Sequence, residues 1–94
     1  LKILDFLRSK NINTSAYDPM VFEEDFEKLN LIRDKTLEEA FENKDLIIIQ
    51  NNNEVFQRMN INKLSSLTNQ DSIILDLWSM FNQMNISKSK YISL

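Results

Sequence analysis

Three short clusters in this 94-residue chain combine acidic, amide and aromatic side chains just where an apolar run ends. They are Tyr17-Asp18-Pro19, Asn51-Asn52-Asn53 and Asp76-Leu77-Trp78-Ser79. Asp18 could accept from a ribose hydroxyl. The three Asn amides could donate to a carbonyl or a phosphate. Trp78, the one Trp, could stack on a nucleobase or a sugar face. Each has a plainer reading. Asp-Pro is turn punctuation, and this weighs more for Asp18. An Asn run is also a solvated loop, in a chain whose twelve Asn, with abundant Ile and Lys, look like an AT-rich coding bias. Trp78 is equally a core or interface aromatic.

Other chemistries are excluded by composition. The chain has no Cys, no His and no Gly, so neither a Cys/His metal site nor a Ser-His-Asp or Cys-His arrangement can be built. The glycine-rich dinucleotide turn, the Walker A loop and the EF-hand loop are absent as written. Eleven Lys and Arg are scattered among fourteen Asp and Glu, for a net charge of −3, which argues against a nucleic-acid partner. The acidic run Glu23-Glu24-Asp25 is read as a solvated helix face. Met20, Met59, Met80 and Met84 are read as gap-filling core. The longest apolar run, Leu46 to Ile49, is four residues, far from the roughly 20 that span a bilayer. With no membrane span and no signal peptide visible, a cytoplasmic location is expected.

The elements that must position these clusters alternate. Leu1 to Lys10 is amphipathic and helical. Ile12, Thr14 and Ala16 alternate with polar residues up to Tyr17, a short strand stopped by Asp18-Pro19. Val21 to Leu29 is an acidic helical stretch and Leu29 to Arg33 a short edge strand. Thr36-Leu37-Glu38-Glu39 fits a capping box that opens a helix to about Asn43. Asp45 to Gln50 is the clearest strand, an unbroken apolar run of the kind expected when both sheet faces are covered. Glu54 to Arg58 and Ile61 to Leu67 are helical turns, Asp71 to Leu77 a second strong strand, Ser79 to Asn85 irregular or helical, and Tyr91-Ile92 a last short strand. This order predicts an α/β domain with a parallel sheet and right-handed crossovers. Ligands of such sheets bind outside the carboxyl ends of the strands, so the three clusters are expected along one rim.

The series Leu4-x-x-Leu7, Tyr17-Asp18-Pro19-Met20-Val21, Thr36-Leu37-Glu38-Glu39-Ala40, Asp45-Leu46-Ile47-Ile48-Ile49, Glu54-Val55-Phe56 and Ile73-Ile74-Leu75-Asp76 resembles the carboxy-terminal, UDP-binding domain of the UDP-glucose/GDP-mannose dehydrogenases. The resemblance covers nearly the whole chain in order. No single motif in it is specific. It implies a Rossmann-like parallel sheet flanked by helices, apparently without its first strand, and one domain over residues 1–94. It also implies that the chain is cut from a longer dehydrogenase at its amino terminus, since Leu1 already reads as helix.

The family oxidises a nucleotide sugar to a uronic acid with NAD, for polysaccharide biosynthesis. The resemblance therefore implies a UDP-sugar partner, for which the strand-end reading offers Tyr17, Asp18, Asn51, Asn52, Asn53, Asp76 and Trp78 as contacts. It places the nucleophilic Cys and the NAD site in the remainder of the parent enzyme, expected to be a homo-oligomer, and none in this chain, which alone should be inactive. Two positions depart from the pattern. Where the family often has Asp-x-Arg with the Arg at the substrate, Trp78 follows Asp76. Where it often has His or Trp three residues ahead of the Phe, Asn53 stands. A ring can stack or donate one N–H but cannot pair with phosphate as a guanidinium does. The competing class is a non-catalytic α/β interaction or dimerisation module, because a missing strand would expose a sheet edge.

Overall fold

A computed structural model describes residues 2–81, 86 and 88–93. Met84 and the end of the predicted Ser79 to Asn85 stretch lie outside them. The chain divides into two compact units, residues 1–40 and 41–94.

The first unit opens with α1 (Lys2–Ser9), followed by β1 (Ser15–Ala16), α2 (Glu23–Lys28) and β2 (Ile32–Arg33). β1 and β2 pair in parallel, Ser15 with Ile32 and Ala16 with Arg33. Both strands are shorter than their sequence patterns suggest, because only two residues of each find a partner before Asp18-Pro19 and Asp34 turn the chain. Ser15 Oγ ties the pair down by donating to Asp34 Oδ2 at 2.6 Å.

Both helices end alike. Asn11 and Asn30 take φ of 57° and 53°. The Asn11 N–H reaches Arg8 O while Ile12 N–H reaches Leu7 O, and Asn30 N–H reaches Glu27 O while Leu31 N–H reaches Phe26 O. These are paired Schellman closures with Asn in the left-handed position that Gly usually holds. Arg8 adds Nη2 bonds to Leu29 O at 2.6 Å and Asn30 O at 2.8 Å, satisfying carbonyls at the end of α2. The Asn-rich composition read as coding bias thus supplies backbone turns in a glycine-free chain. Phe26 is the buried anchor here. Met20 is 71% exposed, against the expectation that it fills core, because it sits in the tight turn after Pro19. Glu23, Glu24 and Asp25 are exposed on the first turn of α2.

The capping box forms in a shifted version: Glu39 N–H donates to Thr36 Oγ1 at 3.1 Å, and Glu39 Oε2 reaches back one residue past the cap to accept Lys35 N–H at 2.9 Å. It opens α3 (Leu37–Phe41), the element at which one unit gives way to the next. The second unit continues with β3 (Leu46–Ile49), α4 (Glu54–Arg58), α5 (Ile61–Ser65), β4 (Ile73–Asp76) and β5 (Lys90–Ser93). Its sheet has the order β3-β4-β5, every pair parallel, with Ile47, Ile74 and Tyr91 in one register row and Ile49, Asp76 and Ser93 in another. Asn53 and Asn60 are N-caps, accepting from Val55 and Lys63 N–H. The protein is thus α/β, with parallel sheets flanked by helices in a Rossmann-like manner.

The core of this unit is Phe41, Ile49, Phe56, Ile61, Leu64, Ile74 and Ile86. Burying each contributes about 1.5–3 kcal/mol. Side chains alternate along a strand, so the face bearing Ile49, Ile74 and Asp76 is inside. The opposite face is not fully covered: Leu46, Ile73 and Ile92 are exposed. The unbroken apolar runs had suggested cover on both faces. At the amino ends of β4 and β5, Thr68, Ser72 and Ser89 form a buried hydroxyl cluster, with Thr68 Oγ1 2.7 Å from Ser72 Oγ and Ser72 Oγ 2.6 Å from Ser89 Oγ. Each hydroxyl is thereby satisfied without water.

Candidate functional site

The carboxyl ends of β3 and β4 carry the most chemistry. β4 ends on Asp76, which has no exposed surface. Its Oδ1 accepts Trp78 N–H at 2.9 Å, and its Oδ2 accepts Met80 N–H at 2.7 Å and the Tyr91 hydroxyl at 2.6 Å. An Asp at the end of a strand can close the following turn with its own side chain, and here the carboxylate holds two amides of that turn. Ser79 lies between them at φ 51°, a left-handed conformation that a Ser adopts only when its surroundings impose it.

The same turn presents Trp78. Its ring is half exposed, and its Nε1–H donates to Gln50 O at 2.8 Å. Leu77 N–H donates to Ile49 O at 3.1 Å, so the turn after β4 is stitched to the end of β3 by backbone and indole together. Directly after Gln50, Asn51 Oδ1 accepts Asn53 N–H at 3.0 Å, Asn53 Oδ1 caps α4, and Asn52 O accepts from Gln57 Nε2. Asn52 is exposed while Asn51 and Asn53 are half-buried. Asn51, Asn52, Asn53 and Trp78 therefore share the carboxyl rim of β3 and β4, two of the three clusters expected along one edge. Asp76 lies beneath it.

Tyr91, on β5, completes the arrangement. Its hydroxyl donates to Asp76 Oδ2, has Phe81 O at 3.0 Å as a second acceptor, and accepts Phe81 N–H at 3.1 Å. Burial, followed by the hydrogen bond to Asp76, pushes its pKa up to about 12. The first unit carries the remaining two candidates. Tyr17 is half-buried just past β1, and Asp18 Oδ1 accepts Met20 N–H at 2.9 Å, the geometry of turn punctuation.

Sequence reasoning passed over Gln50 and Tyr91. Gln50 acts through its backbone carbonyl, which no side-chain motif reports. Tyr91 reaches Asp76 because the parallel register sets it two positions from Ser93, the partner of Asp76, on the same face. That register is not written in either strand alone. Among the described residues there is no cluster of three or more metal-ligating side chains, and no helix is long and apolar enough to cross a membrane.

Over residues 1–83 the chain matches the family model described as UDP-glucose/GDP-mannose dehydrogenase family, UDP binding domain. The chain belongs to this family. No curated protein and no solved structure gives a significant match. The Trp78 side chain spans to the neighbouring strand end and fixes its one N–H there, so that the two apolar faces of the indole carry no further polar atom.

Proposed function

We propose that this UDP-binding domain recognises the nucleotide part of a UDP-sugar for an NAD-dependent nucleotide-sugar 6-dehydrogenase of the UDP-glucose 6-dehydrogenase type. The carrying observation is a family match over most of the chain together with a half-exposed Trp and an amide-rich loop side by side on the carboxyl rim of a parallel sheet. Trp78 supplies a stacking surface, and Asn51, Asn52 and Asn53 supply amide groups beside it. Asp76 contributes from below by holding the turn. Binding energy gathered on the nucleotide orients a sugar whose reacting carbon is elsewhere.

NAD does not fit the residues of this chain. The dinucleotide turn needs glycines for close backbone approach to the pyrophosphate, and the chain has none. On this reading NAD, the Cys nucleophile and the oxidation itself belong to the rest of a parent enzyme, a cytoplasmic homo-oligomer acting in polysaccharide biosynthesis. No step is assigned here to the domain alone. Calorimetric titration of the full 94-residue chain with UDP and with GDP tests the reading. Heat with UDP and a weaker response to GDP supports it, and no heat with either removes it.

A second reading has an observation of its own. Leu46, Ile73 and Ile92 are exposed apolar side chains on one face of β3-β4-β5, which suits an interaction or dimerisation module. A concentration-dependent mass in sedimentation, combined with silence towards both nucleotides, would favour it.

A further inference from the structure

Asp76 is buried and saturated, yet the turn it holds carries the one Trp to the surface. The turn is short: Trp78 N–H and Met80 N–H converge on the two carboxylate oxygens, with Ser79 between them in a left-handed conformation. Two amides are a light restraint on such a backbone, since a non-Gly residue at positive φ costs about 1–2 kcal/mol and persists only where its surroundings over-determine it. The additional restraint comes from β5. The Tyr91 hydroxyl grips Asp76 Oδ2, and its oxygen also meets Phe81 N–H and Phe81 O, the far end of the same turn. One phenol thus clamps both the anchor and the exit of the turn. At the other side the Trp78 indole is held to Gln50 O.

We propose that Asp76 and Tyr91 are positioning residues for Trp78: by clamping residues 77–81 they fix the indole beside Gln50 as a ready-made stacking surface for the nucleotide. The inference rests on the reading that this rim binds the nucleotide of a UDP-sugar. Pre-ordering the ring removes the cost of immobilising it on binding, which is how a residue that touches no ligand affects affinity. Tyr91 is the informative member, because its hydroxyl can be deleted while its ring stays in the sheet.

The experiment uses the full chain and reads Trp78 fluorescence, which is specific because the sequence has one Trp. Tyr91→Phe is compared with wild type and with Trp78→Phe. The expected result for Tyr91→Phe is an unchanged far-ultraviolet circular dichroism spectrum, a red-shifted emission, acrylamide quenching raised about twofold, and UDP affinity weakened about fivefold, the scale of one lost hydrogen bond. A purely structural Tyr91 would lower the unfolding midpoint and leave native-state quenching where it was, and that outcome overturns the proposal. Loss of UDP affinity in Trp78→Phe but not in Tyr91→Phe also overturns it while sparing the nucleotide reading. If wild type binds no UDP, the nucleotide reading fails and the quenching comparison still decides whether Tyr91 sets the indole. Should Tyr91→Phe unfold, Asp76→Asn, which keeps one acceptor oxygen, takes its place with the same readouts.

Discussion

The indole N–H of Trp78 donates to the carbonyl of Gln50 at 2.8 Å, joining the ends of two adjacent parallel strands through a side chain. The bond uses the only polar atom of the ring. A ligand stacking on Trp78, as proposed, would meet only its faces, which suit a flat base or the apolar face of a sugar better than a phosphate.

Replacing that ring by Ala should weaken UDP binding by about five- to a hundredfold, the range set by losing one base–aromatic stack. Calorimetry on Trp78→Ala measures it. Unchanged affinity would remove the stacking role and leave the family assignment intact.

Tyr91 predicts an alkaline limit to stability. Its folded pKa is raised from the ordinary 10.0 to about 12, by burial first and the Asp76 hydrogen bond second. The folded chain therefore keeps that proton to higher pH than the unfolded chain does. The contribution is complete below pH 10 and is lost as the pH rises towards about 12. Urea midpoints followed from pH 9 to 12 should fall more steeply in wild type than in Tyr91→Phe, which has no such proton to lose.

Asn30 closes α2 at φ 53°. Asn30→Gly should change stability by no more than about 0.5 kcal/mol, because Gly adopts this conformation freely. Asn30→Val should cost about 1–2 kcal/mol, since a β-branched residue resists it. Denaturant unfolding of the two variants distinguishes a backbone requirement from an incidental Asn.

Ile73 and Ile74 are neighbours on β4 with opposite fates, 37% and 0% exposed. Ile74→Ala should cost about 2–5 kcal/mol by opening a cavity in the second unit. Ile73→Ala should cost less, about 1–2 kcal/mol, because 37% of that residue already lies in water and less burial is lost. Equal effects would show that the face carrying Ile73 is covered in solution, the situation expected of a docking surface.

The sequence by itself determined the class and the local grammar. Alternating helical and strand periods led to α/β with parallel pairing, and Thr36 and Glu39 announced their capping box. Unbroken apolar runs placed β3 and β4. These follow from period and short-range chemistry, which act within a few residues. The placement of the rim residues was legible to the same extent: once β3 and β4 are parallel, Asn51 and Trp78, two residues past their ends, fall at the same edge of the sheet.

Tertiary structure alone decided which of those residues face outward and which hold others in place. Asp76 looked like a ligand contact and is a buried anchor, because only the register of β5 brings the Tyr91 hydroxyl to within 2.6 Å of it. The Asn residues looked like compositional drift, yet Asn11 and Asn30 close helices at positive φ in a chain without Gly. The exposure of Leu46, Ile73 and Ile92 was equally hidden, since their unbroken runs are the pattern of strands covered on both faces. In each case the deciding quantity is a distance or an orientation between segments remote in sequence, which residue type and spacing do not encode locally.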